Sequence, residues 1–123
     1  MPKIYLSPST QDWNMYVTGS GSEEYNMNLL ADALVPYLLS NGIQYQRNRP
    51  EMTAGSSIRE ANQGEYDLYL ALHSNAAPEG RYGEERGIIA FYYPGSVGGQ
   101  RAAELIAQEL RKIYPLPNKV TTR

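Results

Sequence analysis

Residues 68–72, Leu-Tyr-Leu-Ala-Leu, form an uninterrupted apolar run bounded by Asp67 and His73. A run without polar alternation describes a strand buried on both faces, the habit of parallel sheets. Parallel strands cannot be joined by tight turns. They need crossovers of roughly a dozen residues or more, usually helical. The run therefore demands helices elsewhere in the chain, and the sequence supplies them.

Upstream, Lys3-Ile4-Tyr5-Leu6 reads as a short strand, followed by a polar loop over residues 7–22 containing Gly19-Ser20-Gly21-Ser22. Residues 23–40 read as a helix, with Met27, Leu30, Ala31, Leu34 and Leu38 recurring at spacings of three and four. Ser22 is the expected N-cap, Glu23 and Glu24 suit the positive helix start, Asn41-Gly42 closes the helix, and Pro36 should kink it. A strand over 43–47 follows, then a turn at Arg49-Pro50. A helix is expected over 56–63, with Ser57 and Glu60 spaced as a capping box. After the strand at 67–72 come a charged loop over 78–86, a strand over 87–93 and a helix over 97–114 with Leu105, Ile106, Leu110 and Ile113 on one face. Pro115 and Pro117 stop that helix, and residues 119–122 begin a last strand. The order βαβαββα(β) predicts an α/β fold, with helices flanking a mostly parallel sheet. Residues 1–123 are read as a single domain.

Composition removes several classes of function. The chain has no cysteine, which excludes disulfides, thiolate zinc fingers and Cys nucleophiles. A single histidine, His73, means that no metal site can be built mainly from imidazoles. A pI near 5.4 argues against a nucleic-acid partner. The apolar stretch at 29–39 is broken by Asp32 and Pro36, so no membrane span is expected. The N-terminus shows no signal-peptide pattern. Eleven tyrosines against one phenylalanine favour half-wet faces and polar-ligand grooves.

In open α/β sheets, ligands gather beyond the carboxyl ends of the strands. The first strand exits there into the loop that delivers Glu23, and the run at 67–72 exits there at His73. If these strands are neighbours, Glu23 and His73 share a rim. Histidine and carboxylate are zinc donors, and a catalytic zinc takes three protein ligands plus water. Asp12 is the candidate third ligand, with Gln11, Thr10, Ser7 and Ser9 as poorer donors. The glycine-serine loop is not an anion cradle, because Glu23 and Glu24 would repel a phosphate at that helix start. Arg59 is a candidate carboxylate binder, while Arg81 and Arg86 read as solvated surface.

The segment Leu70-Ala71-Leu72-His73-Ser74-Asn75-Ala76 resembles the strand-end motif of zinc-dependent N-acetylmuramoyl-L-alanine amidases of the amidase-3 type, which hydrolyse cell walls. Arg49, the helix segment Ser57-Ile58-Arg59-Glu60-Ala61-Asn62, the spacing of Glu23 eight residues before Ala31, and Arg86-Gly87 before a strand extend the likeness over essentially the whole chain. The resemblance implies a three-layer α/β/α fold and one zinc ion. It implies cleavage of the amide between N-acetylmuramic acid and L-alanine, at the bacterial cell wall. His73 and Glu23 carry over as metal ligands, with Glu24 the alternative one residue on. Asn75 and Arg59 carry over as substrate-binding residues.

Two departures stand out. The family's first ligand is a histidine shortly after the first strand, and Ser9 or Thr10 stands there in this chain, with Asp12 as the substitute. No residue matches the family's catalytic glutamate, so the domain reads as truncated at its C-terminus, with impaired activity. Loss of a general base costs roughly 10²–10⁴-fold. A sheet edge left open would favour self-association. Three readings follow: an amidase-type hydrolase domain, a non-catalytic peptidoglycan-binding module on the same fold, and a flavodoxin-like small-ligand domain in which His73 is structural.

Overall fold

The structure, a computed structural model, describes residues 2–75 and 86–123. The elements in chain order are β1 (Lys3–Pro8), α1 (Glu23–Ser40), β2 (Gln44–Arg47), α2 (Ala54–Gln63), β3 (Leu68–Leu72), β4 (Ile88–Ala90), α3 (Val97–Arg111), a 3-10 turn (Pro117–Lys119) and β5 (Val120–Thr122). The fold is α/β, and among the described residues the strand pairs β1–β2, β1–β3 and β4–β5 are all parallel. The chain divides into two compact units, Met1–Asn75 and Ala76–Arg123. The charged loop expected over 78–86, with Arg81, Glu84 and Glu85, lies outside the described residues except for Arg86.

In the first unit the sheet order is β2-β1-β3, with β1 central. The pleat sends Ile4 and Leu6 to one face and Tyr5 and Ser7 to the other. On the first face Ile4 and Leu6 pack with Ala31 and Leu38 of α1, joined by Leu34, Val35, Ile43, Leu68, Leu70 and Leu72. Burying an Ile or Leu contributes about 1.5–3 kcal/mol each. On the opposite face the Tyr5 phenol donates to Glu60 of α2 at 2.9 Å, and Ser57 of α2 is fully buried. The sheet is thus covered on both sides, α1 below and α2 above, giving the unit three layers.

Helix α1 starts and ends as its sequence predicts. The Ser22 hydroxyl accepts from the Tyr25 amide, and Asn41 forms the C-cap, followed by Gly42 at φ 72°. The helix is continuous through Pro36, and Asp32, the residue one turn before it whose carbonyl loses an amide partner, is exposed like Pro36 itself. One detail of the expected stripe changes: Ala31 and Leu38 are buried, while Leu30 is 49% exposed.

Helix α2 begins two residues earlier than expected, and its capping box is built differently. Thr53 is the N-cap: its hydroxyl accepts from the Ser56 amide, while the Ser56 hydroxyl accepts from the Thr53 amide. Ser57 and Glu60 do not form the box. Ser57 turns inward, donating to the Thr53 carbonyl, and Glu60 faces Tyr5 and Arg49. Both motifs have the required spacing, and burial of Ser57 decides between them.

In the second unit β4 and β5 pair in parallel, and α3 packs against both. The side of α3 that meets the strands carries Ala103 and Ala107, with Leu110 half-buried. This corrects the expected stripe: Leu105 is 53% exposed and Ile113 80% exposed. Small side chains at 103 and 107 let the helix approach a sheet of two strands, and Leu105 lies well round the helix from that side. The Arg111 guanidinium donates to the Val120 carbonyl at 2.9 Å, tying the end of α3 to β5. Gly87 has φ 134°, and a side chain there would collide with the Lys119 carbonyl. Strand β4 is shorter than the expected 87–93. Its pairing with β5 covers only Ile88, Ile89 and Ala90. No helix among the described residues is long and apolar enough to cross a membrane.

Candidate functional site

Strands β1 and β3 are hydrogen-bonded neighbours, in register from Ile4 with Leu68 to Pro8 with Leu72. The chain leaves both at the same rim. Beyond β3 come His73 and Ser74. Beyond β1, a loop over residues 9–22 returns to the rim as the first turn of α1. Local bonds fix this return: the Tyr16 amide donates to the Gly21 carbonyl at 2.8 Å, and the Glu23 amide donates to the Asn14 carbonyl at 2.8 Å. Gly21 adopts φ 102°, a conformation that disfavours other residues, and an added Cβ would press against the Tyr25 ring.

This arrangement brings Glu23 and His73 together. Glu23 is 2% exposed, and one carboxylate oxygen, Oε2, lies 3.3 Å from Nδ1 of His73. The other, Oε1, accepts from the Ser74 amide at 3.2 Å and more loosely from the Ser74 hydroxyl at 3.4 Å. A buried carboxylate needs such partners, since an unpaired buried charge is very costly. Its place in the first turn of α1 adds the favourable field of the helix N-terminus. The His73 side chain remains 45% exposed, so one edge of the ring is open to a ligand.

The Nδ1–Oε2 distance of 3.3 Å is that of a long hydrogen bond. Imidazole and carboxylate are donor types that zinc takes. The number of donors stops short: among the described residues no group of three His, Asp or Glu converges.

The adjacent glutamates are separated. Glu24 lines an open groove of about 290 Å³ together with Asp12 and Asp32. Asp12 therefore lies with Glu24, and the structure does not bring it to His73. Ser9 and Thr10, which stand where the resembled family carries its first histidine, line a different cavity of about 260 Å³, together with His73. Tyr69, Asn48, Thr53, Met52 and the exposed Trp13 form more of its wall. Arg59 and Asn75 are exposed, and neither is among the residues lining that cavity.

Below the cavity lies a buried polar layer that spacing alone did not indicate. The Asn48 amide donates to Ser7 Oγ at 3.1 Å, to the Pro8 carbonyl at 3.0 Å and to Ser57 Oγ at 3.2 Å. Tyr69 donates to the same Ser7 hydroxyl at 2.8 Å. Three segments distant in sequence are stitched together by short polar side chains. The one hint in the sequence is Ser7, a hydroxyl at the end of an apolar strand. Farther along the same face, burial raises the Tyr5 phenol above its ordinary value, with the Glu60 hydrogen bond adding to the shift. Comparison with known proteins returns no match of any kind: no family model, no curated protein and no solved structure.

Proposed function

We propose that the first unit is an N-acetylmuramoyl-L-alanine amidase-type domain acting on peptidoglycan, with Glu23 and His73 as two ligands of one zinc ion. The observation that carries this reading is the meeting of His73 with a buried Glu23 at the shared rim of β1 and β3. The motif around His73 and the placing of Ser9 and Thr10 in the wall of the same cavity support it. Bound there, zinc would polarise the scissile carbonyl and lower the pKa of its water toward neutrality.

The chain's own residues have distinct tasks in this scheme. Glu23 is held by Ser74, so its second oxygen is left to face His73. The hydroxyls of Ser9 and Thr10 and the rings of Trp13 and Tyr69 line a cavity suited to a polar ligand with apolar faces, such as a muramyl peptide. Asn75 and Arg59 would contact the peptide stem outside the cavity.

A second reading, a peptidoglycan-binding module without turnover, is favoured by the count of two donors among the described residues. Zinc per chain, measured on protein purified without added metal, separates the two. About one zinc, lost in His73→Ala, together with release of L-alanyl peptide from muramyl peptide, supports the amidase. Muramyl-peptide binding without zinc or turnover supports the module. Failure of both removes both readings and leaves His73 structural. Thr10→His adds the missing imidazole beside the cavity, and zinc affinity is expected to rise about 100-fold or more if the pair is a metal site. The expected self-association is read in parallel by light scattering, where a clean monomer at high concentration rejects it.

A further inference from the structure

We propose that Tyr16 is a positioning residue: it couples the loop between β1 and α1 to the Glu23 carboxylate through Ser74. The geometry is a chain of hydroxyls. The Tyr16 hydroxyl lies 2.6 Å from Ser74 Oγ, and Ser74 Oγ faces Glu23 Oε1. A carboxylate only accepts, so the single serine proton goes to Glu23. The serine lone pairs then receive the tyrosine proton. In the proposed relay Tyr16 donates to Ser74 at 2.6 Å, and Ser74 donates to Glu23 across a longer 3.4 Å.

The anchoring is specific to Tyr16. Its amide donates to the Gly21 carbonyl, and its carbonyl accepts from the Gly19 amide. It is half-buried, while its neighbours Met15 and Val17 are 61% and 70% exposed. Tyr16 is thus the point where a loop with an apolar outer surface is bound to the rim. A ligand that draws on Trp13, Met15 or Val17 shifts Tyr16 and, through Ser74, the oxygen balance of Glu23. Partners that orient a metal ligand tune its affinity, commonly by about 10–100-fold when removed.

The functional meaning of this coupling rests on the Glu23–His73 pair being the working site, but its test does not. His73 is the only histidine, so every imidazole resonance of the full chain belongs to it. With 15N-labelled histidine and metal-free protein at alkaline pH, the wild type is expected to show a neutral ring protonated at Nδ1, its proton directed at Glu23. Tyr16→Phe removes one oxygen and is expected to shift population toward the other tautomer. Ser74→Ala, which leaves the loop intact, should do the same more strongly, and Tyr25→Phe, at an exposed ring, should do nothing. Competition with a chromophoric chelator is the second readout: zinc affinity is expected to fall about threefold in Tyr16→Phe and about tenfold in Ser74→Ala. Unchanged His73 resonances in Tyr16→Phe or Ser74→Ala, with wild-type circular dichroism, overturn the coupling. If no variant binds zinc, the amidase reading falls and the resonances alone decide this proposal.

Discussion

The two faces of the β2-β1-β3 sheet are built by opposite means. Toward α1, contact is apolar: Ile4 and Leu6 against Ala31 and Leu38. Toward α2, Tyr5, Ser7 and Tyr69 meet Glu60, Ser57 and Asn48 largely through hydrogen bonds. Apolar burial is non-directional and scales with area, so it gives stability without fixing exact positions. Buried polar networks add little net energy but are costly to leave half made, so they hold side chains in one arrangement. The polar face is the one that runs up to the cavity. The difference teaches that α1 holds the sheet together while the α2 side shapes what the sheet presents.

The largest break should come from the apolar face. Leu6→Ala removes a fully buried side chain, and we expect a loss of about 2–5 kcal/mol in denaturant unfolding. A loss under about 1 kcal/mol would mean that α1 is not the main support. Next is Asn48→Ala on the polar face, which strips Ser7, Ser57 and the Pro8 carbonyl of a shared donor. Its expected cost is about 1–3 kcal/mol, with weakened binding at the cavity above it. Equal loss in binding and in stability controls would remove the positioning role given to this face.

Tyr5→Phe tests the same face through pH. The folded phenol titrates above its unfolded value near 10, so the neutral form is favoured in the native state. That contribution is complete below pH 10 and is lost as pH rises toward the folded value. The wild type should therefore weaken above pH 10 more steeply than the variant. At neutral pH the variant should lose about 1 kcal/mol, the worth of one hydrogen bond to Glu60. Parallel curves above pH 10 would contradict the shift. The smallest effect is expected for Arg47→Met. Arg47 bridges β2 to Asp32 and Asn28 of α1, with Asp32 63% exposed. Such a pair contributes about 0–1 kcal/mol, and molar salt should erase most of the difference.

Much of this organisation is legible in the sequence because it is local. Ser22, Asn41 and Gly42 mark the ends of α1 through the chemistry of orphan backbone groups, and the run at 68–72 announces a parallel strand, although β3 is not buried on both faces as expected: it lies at the edge of its sheet, half-buried, with Ala71 exposed. The candidate pair was legible one step further. Glu23 and His73 are 50 residues apart, but the rule that sites form beyond strand ends places them at one rim once β1 and β3 are neighbours. What misled was a motif with more than one solution. The Ser57–Glu60 spacing fits a capping box as well as Thr53–Ser56 does, and only the depth of Ser57 chooses.

By itself the sequence determined the α/β alternation, most helix boundaries, the absence of thiol chemistry and the uniqueness of His73. These follow from short-range backbone bonding and from composition, which no packing can alter. Tertiary structure alone decided how deeply Glu23 is buried beside His73, that Asp12 turns to another groove, and that Asn48 bridges Ser7 and Ser57. Neighbouring residues at a helix start point in different directions, and which one is buried depends on where the helix lands on the sheet. That landing is fixed by Ala31 and Leu38 against Ile4 and Leu6, contacts between segments that the chain brings together only when folded.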